Sequence, residues 1–80
     1  MIDFNKAITN RTLWLLDAGD RLHLAMEPQR GVDPRKSGYL VLPSNTPLVI
    51  KSVKDVTNVV CKIGSHTVMI DSIWMTHVVL

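Results

Sequence analysis

Val59-Val60-Cys61-Lys62-Ile63-Gly64-Ser65-His66-Thr67-Val68-Met69-Ile70-Asp71 is the stretch that decides the fold. In its first half, Val59, Cys61 and Ile63 fall on one face and Val60 and Lys62 on the other. That period of two belongs to a half-buried strand. Gly64-Ser65 is a tight hairpin turn, and residues 67–71 are the returning strand. The segment predicts an antiparallel hairpin with one face in a core.

Working outward, the same grammar repeats. Residues 72–74 suit one 3₁₀ turn before a last strand over residues 76–80. Upstream, residues 48–53 are a strand, and residues 43–47 are a turn with proline at both ends. Residues 39–42 are a short strand. In residues 21–26, Leu22, Leu24 and Met26 alternate with Arg21, His23 and Ala25, which predicts a strand whose leucines face the core. Residues 27–38, EPQRGVDPRKSG, are a long loop, because proline and glycine interrupt any ladder. The shared core is expected to hold Leu22, Leu24, Leu48, Ile50, Val59, Cys61, Ile63, Val68 and Ile70.

The N-terminal segment reads differently. Phe4, Ala7 and Ile8 fall at helical spacing, and Asp3 is a good N-cap. Residues 12–16 suit either a helix or a first strand; the reading leans to a helix over residues 3–17, stopped by Gly19. The expected fold is therefore mainly β, or α+β: one domain over residues 1–80, with an N-terminal helix and connection over 1–18 and a small, partly open barrel over 19–80.

Composition bounds the function. Eighty residues, 46% of them apolar, make one small domain near the lower limit for folding alone. Cys61 is the only cysteine, so no disulfide can staple the monomer, and a reducing, cytoplasmic setting is expected. No apolar run reaches the length of a membrane span. Residues 1–10 lack the apolar segment of a secretory signal. Nine basic against seven acidic residues give a net charge of +2, weaker than the clustered excess of most nucleic-acid binders.

The pattern from Gly19 onward resembles SH3-like small barrels. Gly19-Asp20 leads into Leu22-His23-Leu24, then come a long loop ending at Gly38, three meandering strands, the turn at Gly64-Ser65, the bend at Trp74 and a final short strand. The resemblance implies an architecture and no particular activity. The acidic and aromatic residues with which signalling SH3 domains bind proline-rich peptides have no counterparts here. In size and compactness the chain is also similar to short phage-encoded proteins that bind host factors.

No catalytic pattern emerges. His23, His66 and His77 lack ligand spacing, so no metal and no cofactor is expected. Cys61, in mid-strand on the face of Val59 and Ile63, reads as a core residue, because burial makes a thiol inert. The loop cations Arg30, Arg35 and Lys36 suit an anion, although the glycine spacing and following helix of a phosphate loop are missing. Tyr39, Trp74 and Met75 complete the binding candidates. Trp14 and Trp74 suit a core or an interface anchor, and Met69 with Met75 extends an apolar patch. The reading is a non-catalytic module that acts by protein–protein contact, as a regulator or inhibitor or with copies of itself. A nucleic-acid-binding barrel using loop 29–38 with Lys51, Lys54 and Lys62 is the alternative. An apolar chain without a staple, and an exposed edge at residues 76–80, point to self-association.

Overall fold

The computed structural model describes residues 1–79. Eight strands form one sheet: β1 (Ile2–Thr9), β2 (Leu13–Asp17), β3 (Leu22–Met26), β4 (Leu40–Leu42), β5 (Pro47–Val53), β6 (Asn58–Ile63), β7 (His66–Asp71) and β8 (Met75–Val79). Their spatial order is β4-β2-β3-β7-β6-β5-β1-β8, and the sheet curls into a half-barrel. The expected 3₁₀ turn is Ser72–Trp74, capped by the Asp71 carboxylate, which accepts from the Ile73 N–H. Among the described residues no helix is long and apolar enough to cross a membrane.

The hairpin that decided the fold forms as expected. β6 and β7 pair antiparallel from Asn58↔Asp71 to Ile63↔His66. Gly64 takes a φ of 58°, which suits the first position of a type II′ turn and strains any residue with a Cβ. The β5–β6 connection is tied by Asp55, whose Oδ1 accepts from the backbone N–H groups of Thr57 and Asn58, both at 2.9 Å. The Asn58 side-chain amide and these N–H groups hold the Asp55 carboxyl well below the usual range.

The N-terminal helix does not form. Residues 3–17 contribute to β1 and β2 instead, and Gly19 lies in the β2–β3 turn. Asp3 pairs with Val78, but the next pair is Ala7↔His77, so Phe4, Asn5 and Lys6 are extra residues relative to β8. Asp3 ties this bulge by accepting the Asn5 N–H at 2.9 Å, and caps no helix. The bulge breaks the period of two and leaves an apolar spacing that imitates a helical face. In β2, Leu13, Trp14 and Leu15 are all buried, so that strand carries no alternation either.

β3 forms, with the opposite face inward. His23 is buried and Ala25 packs on the core, while Leu24 is exposed and Leu22 is only half-buried. β3 lies parallel to β7, and the register sets His23 beside buried Val68 and Leu24 beside Met69. The hydrophobic rule misassigned the face because the sheet is apolar on both sides here. Of the other expected core residues, Leu48, Val59, Cys61, Val68 and Ile70 are buried, and Ile50 and Ile63 pack against them.

The core lies on the concave side, where Leu13 and Leu42 of the 10–46 excursion join Leu48, Val68, Ile70 and Met75 in one cluster. β1 and β5 are antiparallel neighbours, yet β2, β3 and β4 come between them in the chain and extend the sheet beyond β7. Thr9 fastens the ends of this excursion. Its Oγ1 donates to the Pro43 carbonyl at 2.8 Å and accepts from the Thr46 N–H at 2.9 Å.

Candidate binding face

The cross-strand registers line up side chains that are far apart in sequence. Leu16 pairs with Leu24, Leu24 with Met69, Met69 with Val60, and Val60 with Ser52. Partners directly opposite share a face, so Leu16, Leu24, Met69 and Val60 form one apolar row across four adjacent strands. The row lies on the convex side, because its sequence neighbours Leu15, Val68, Val59 and Cys61 are buried in the core. Leu16 is 43% exposed and Leu24 37%. Val41, opposite Trp14, and Met26, also opposite Trp14, continue the apolar surface toward the sheet edge.

The neighbouring row is basic at one end. It runs Leu22, Thr67, Lys62, Val49, Lys6. The convex side therefore has an apolar half over β4, β2, β3 and β7 and a half carrying lysines over β6, β5 and β1. Large exposed apolar patches rimmed by polar residues mark interaction sites.

The residues singled out from sequence are placed in several surroundings. Trp14 is buried beneath Tyr39, the two rings stacked with centroids 5.5 Å apart and 27° between planes. Tyr39 is thus half-buried at the margin of the convex patch. Trp74 is half-buried, and its Nε1 donates to Glu27 Oε1 at 3.2 Å. The same oxygen receives Arg11 at 3.0 Å in the one ion pair among the described residues. Trp74 thereby joins the start of the long loop to the 3₁₀ turn. Met75 is buried in the core.

Arg30, Arg35 and Lys36 are exposed on the loop, and among the described residues no ion pair engages any of them. Asp33 shapes this loop: its Oδ1 accepts the Arg35 N–H at 3.0 Å and its carbonyl accepts the Ser37 N–H at 3.1 Å. Gly31 and Gly38 take φ values of 76° and 78°.

A separate cleft of about 240 Å³ opens where β1 bulges, lined by Phe4, Ile50, Val53, Val59, Met75 and His77, with Ser72 at its polar side. Phe4 meets the His77 ring edge-on at 5.7 Å. His23 and His66 make their own edge-on pair at 4.9 Å, and His23 Nδ1 is buried without a hydrogen-bond partner among the described residues. The three histidines are therefore divided between two places. Among the described residues no group of three or more His, Cys, Asp or Glu is placed to hold a metal ion. Burial pushes the Cys61 thiol up to about 11.

Sequence reasoning found the loop cations and the tryptophans but missed Leu16, Leu24 and Val60 as a surface. The signal was present in β3 as a second apolar face, and only the register shows which leucines lie outside. No family model, curated protein or solved structure matches this chain.

Proposed function

We propose that this protein is a non-catalytic binding module that acts by contact with another protein through the convex face of its sheet. One observation carries the reading: the Leu16–Leu24–Met69–Val60 row is apolar across four adjacent strands and turned away from the core. Burying it against a partner yields hydrophobic free energy that folding leaves unused. Lys62 and Lys6 beside it favour a partner surface with carboxylates along one border.

The architecture is of the SH3-like small-barrel type, with β1 in place of β3 as first strand. The order β8-β1-β5-β6-β7, with a long connection after β1 and a 3₁₀ turn before β8, supports this. On that reading β2, β3 and β4 elaborate the first connection and build the apolar half of the binding face. A small cytoplasmic regulator or inhibitor, of the kind short phage-encoded proteins supply, works in this way by occupying a surface of its target.

The test is affinity capture from nuclease-treated lysate with the wild type and with Leu24→Lys. Leu24 is exposed, so a lysine fits without disturbing the core. The expected outcome is a protein retained by the wild type and lost with the variant, since a charge at an interface centre costs about 2 kcal/mol or more. Equal retention by both would refute the face.

A second reading rests on Arg30, Arg35 and Lys36, three cations on one loop without ion-pair partners among the described residues. Nucleic-acid binding through them would weaken steeply with salt and vanish with nuclease or with all three changed to Ala.

A further inference from the structure

The cleft of about 240 Å³ beside the β1 bulge has a size that bounds its contents. A cavity of roughly 150 Å³ lined by apolar side chains takes up benzene. Drug-sized ligands occupy about 300 Å³ or more. The cleft therefore has room for one ring system and none for a nucleotide or an extended cofactor.

Its lining narrows the chemistry. Val59 and Met75 form the floor and belong to the buried core. Phe4 and Val53 form walls that stay 71% and 66% exposed. The extra residues of β1, Phe4, Asn5 and Lys6, carry Phe4 out of the ladder to β8, where its ring meets His77 edge-on at 5.7 Å. A ring seated between these walls would bury apolar surface that folding leaves in water. Three side chains favour a flat π-system over an aliphatic chain. Phe4 and His77 pair with other rings in offset or edge-on geometry, and the Met75 thioether makes favourable contacts with ring edges. Charge is a second filter. Among the described residues no Lys, Arg, Asp or Glu lines the cleft, so an ionised ligand would lose its hydration and gain no countercharge. Ser72 is the third. Its hydroxyl donates to the Val56 carbonyl at 3.2 Å, which commits its proton and leaves Oγ to accept.

We infer that the cleft binds one neutral aromatic ring bearing an O–H or N–H donor, a phenol or an indole, with that donor bonded to Ser72 Oγ. The ring can arrive as a free small molecule or as a tyrosine or tryptophan side chain; the chemistry that recognises it is the same. The cleft opens on the concave side, since Met75 and His77 lie opposite buried Thr9 and Ala7. It is separate from the convex row and does not depend on the reading given to that row.

The test is a titration of the whole chain followed by the methyl NMR signals of Val53, Val59 and Met75. Each probe is raised to about 5 mM, because a single ring offers little contact area. Phenol and indole should shift these signals saturably. Benzene lacks the donor and should bind about fivefold more weakly than phenol, the worth of one net hydrogen bond. Cyclohexanol, with the hydroxyl and no π-system, should fall behind phenol by about the same factor. Phe4→Ala removes an exposed wall and should weaken phenol binding about tenfold, with circular dichroism unchanged. Ser72→Ala should abolish the advantage of phenol over benzene while benzene binds as before; a merely structural loss would weaken both alike. Leu24→Lys should bind phenol as the wild type does, so this site and the convex face can fail separately. N-acetyltyrosinamide separates the two sources: binding at least as tight as that of phenol assigns the ring to a protein side chain, and weaker binding assigns it to a free small molecule. Absence of saturable shifts with phenol and indole overturns the inference. So does equal binding of phenol, benzene and cyclohexanol, or a phenol advantage that survives Ser72→Ala.

Discussion

Cys61 lies on the concave side of β6, opposite Val68 of β7, and neither residue exposes any surface. Its chemistry follows from that position alone. A thiolate there would lose its hydration and gain no countercharge, so burial raises the thiol from 9.0 to about 11. The folded protein therefore keeps this proton over a range where the unfolded chain has lost it. Cys61 leaves stability unchanged below about pH 9 and lowers it as pH rises from about 9 toward 11. Denaturant midpoints measured across that range should fall, and Cys61→Ser should flatten the fall. Alkylation of the native protein near neutral pH should proceed only through unfolding, at a rate that tracks denaturant. Fast labelling of folded protein would contradict the burial.

At the scale of elements, the least obvious structure is the junction of β1 with the 43–46 turn. Thr9 is fully buried although polar, and its hydroxyl both donates to Pro43 and accepts from Thr46. The backbone adds Asn45 N–H to the Thr9 carbonyl at 2.7 Å and Thr9 N–H to the Thr46 carbonyl at 3.1 Å. Thr9→Val keeps the shape and removes the hydroxyl. The Pro43 carbonyl still accepts the Thr46 hydroxyl at 2.6 Å, but the Thr46 N–H is left without a partner. The expected cost is about 1–3 kcal/mol, the penalty of one unsatisfied buried group, measured by denaturant unfolding. Thr9→Ser should retain most of the stability, which separates the hydrogen bonds from the lost methyl. The strands legible in the sequence were β3 to β8, together with the 3₁₀ turn and the long loop; β6 and β7 keep a regular period, whereas β5 carries an extra residue at Lys51. β1 was misread because residues 4–6 leave the ladder toward β8, and β2 because three consecutive residues are buried.

For the whole molecule, the question is whether the 10–46 excursion and the remaining strands fold together. Leu13 on the excursion and Ile70 on β7 belong to one buried cluster, and the parallel β3–β7 pair stitches the two parts through backbone hydrogen bonds. Leu13→Ala and Ile70→Ala should each cost about 2–5 kcal/mol, as large-to-small core changes do. Each should shift one and the same unfolding transition, followed by fluorescence of Trp14 in the excursion and of Trp74 outside it. Two separate transitions would show that the excursion is an independent unit. The convex face also exists only at this scale: Leu16, Leu24, Val60 and Met69 are scattered along the chain and are neighbours only across strands.

From β3 onward the sequence by itself determined where strands begin and turn, because alternation and turn residues act over a few neighbouring positions. It identified the β6–β7 hairpin, the flexible position at Gly64, the inert thiol and the cationic loop. The tertiary structure alone decided that β3 lies parallel to β7, that β1 replaces a helix, and that the leucines of β3 face outward. Those outcomes depend on which strand lies beside which and in what register. Where both faces of a sheet are apolar, local hydrophobicity gives the two orientations nearly equal energy, and long-range pairing selects one of them.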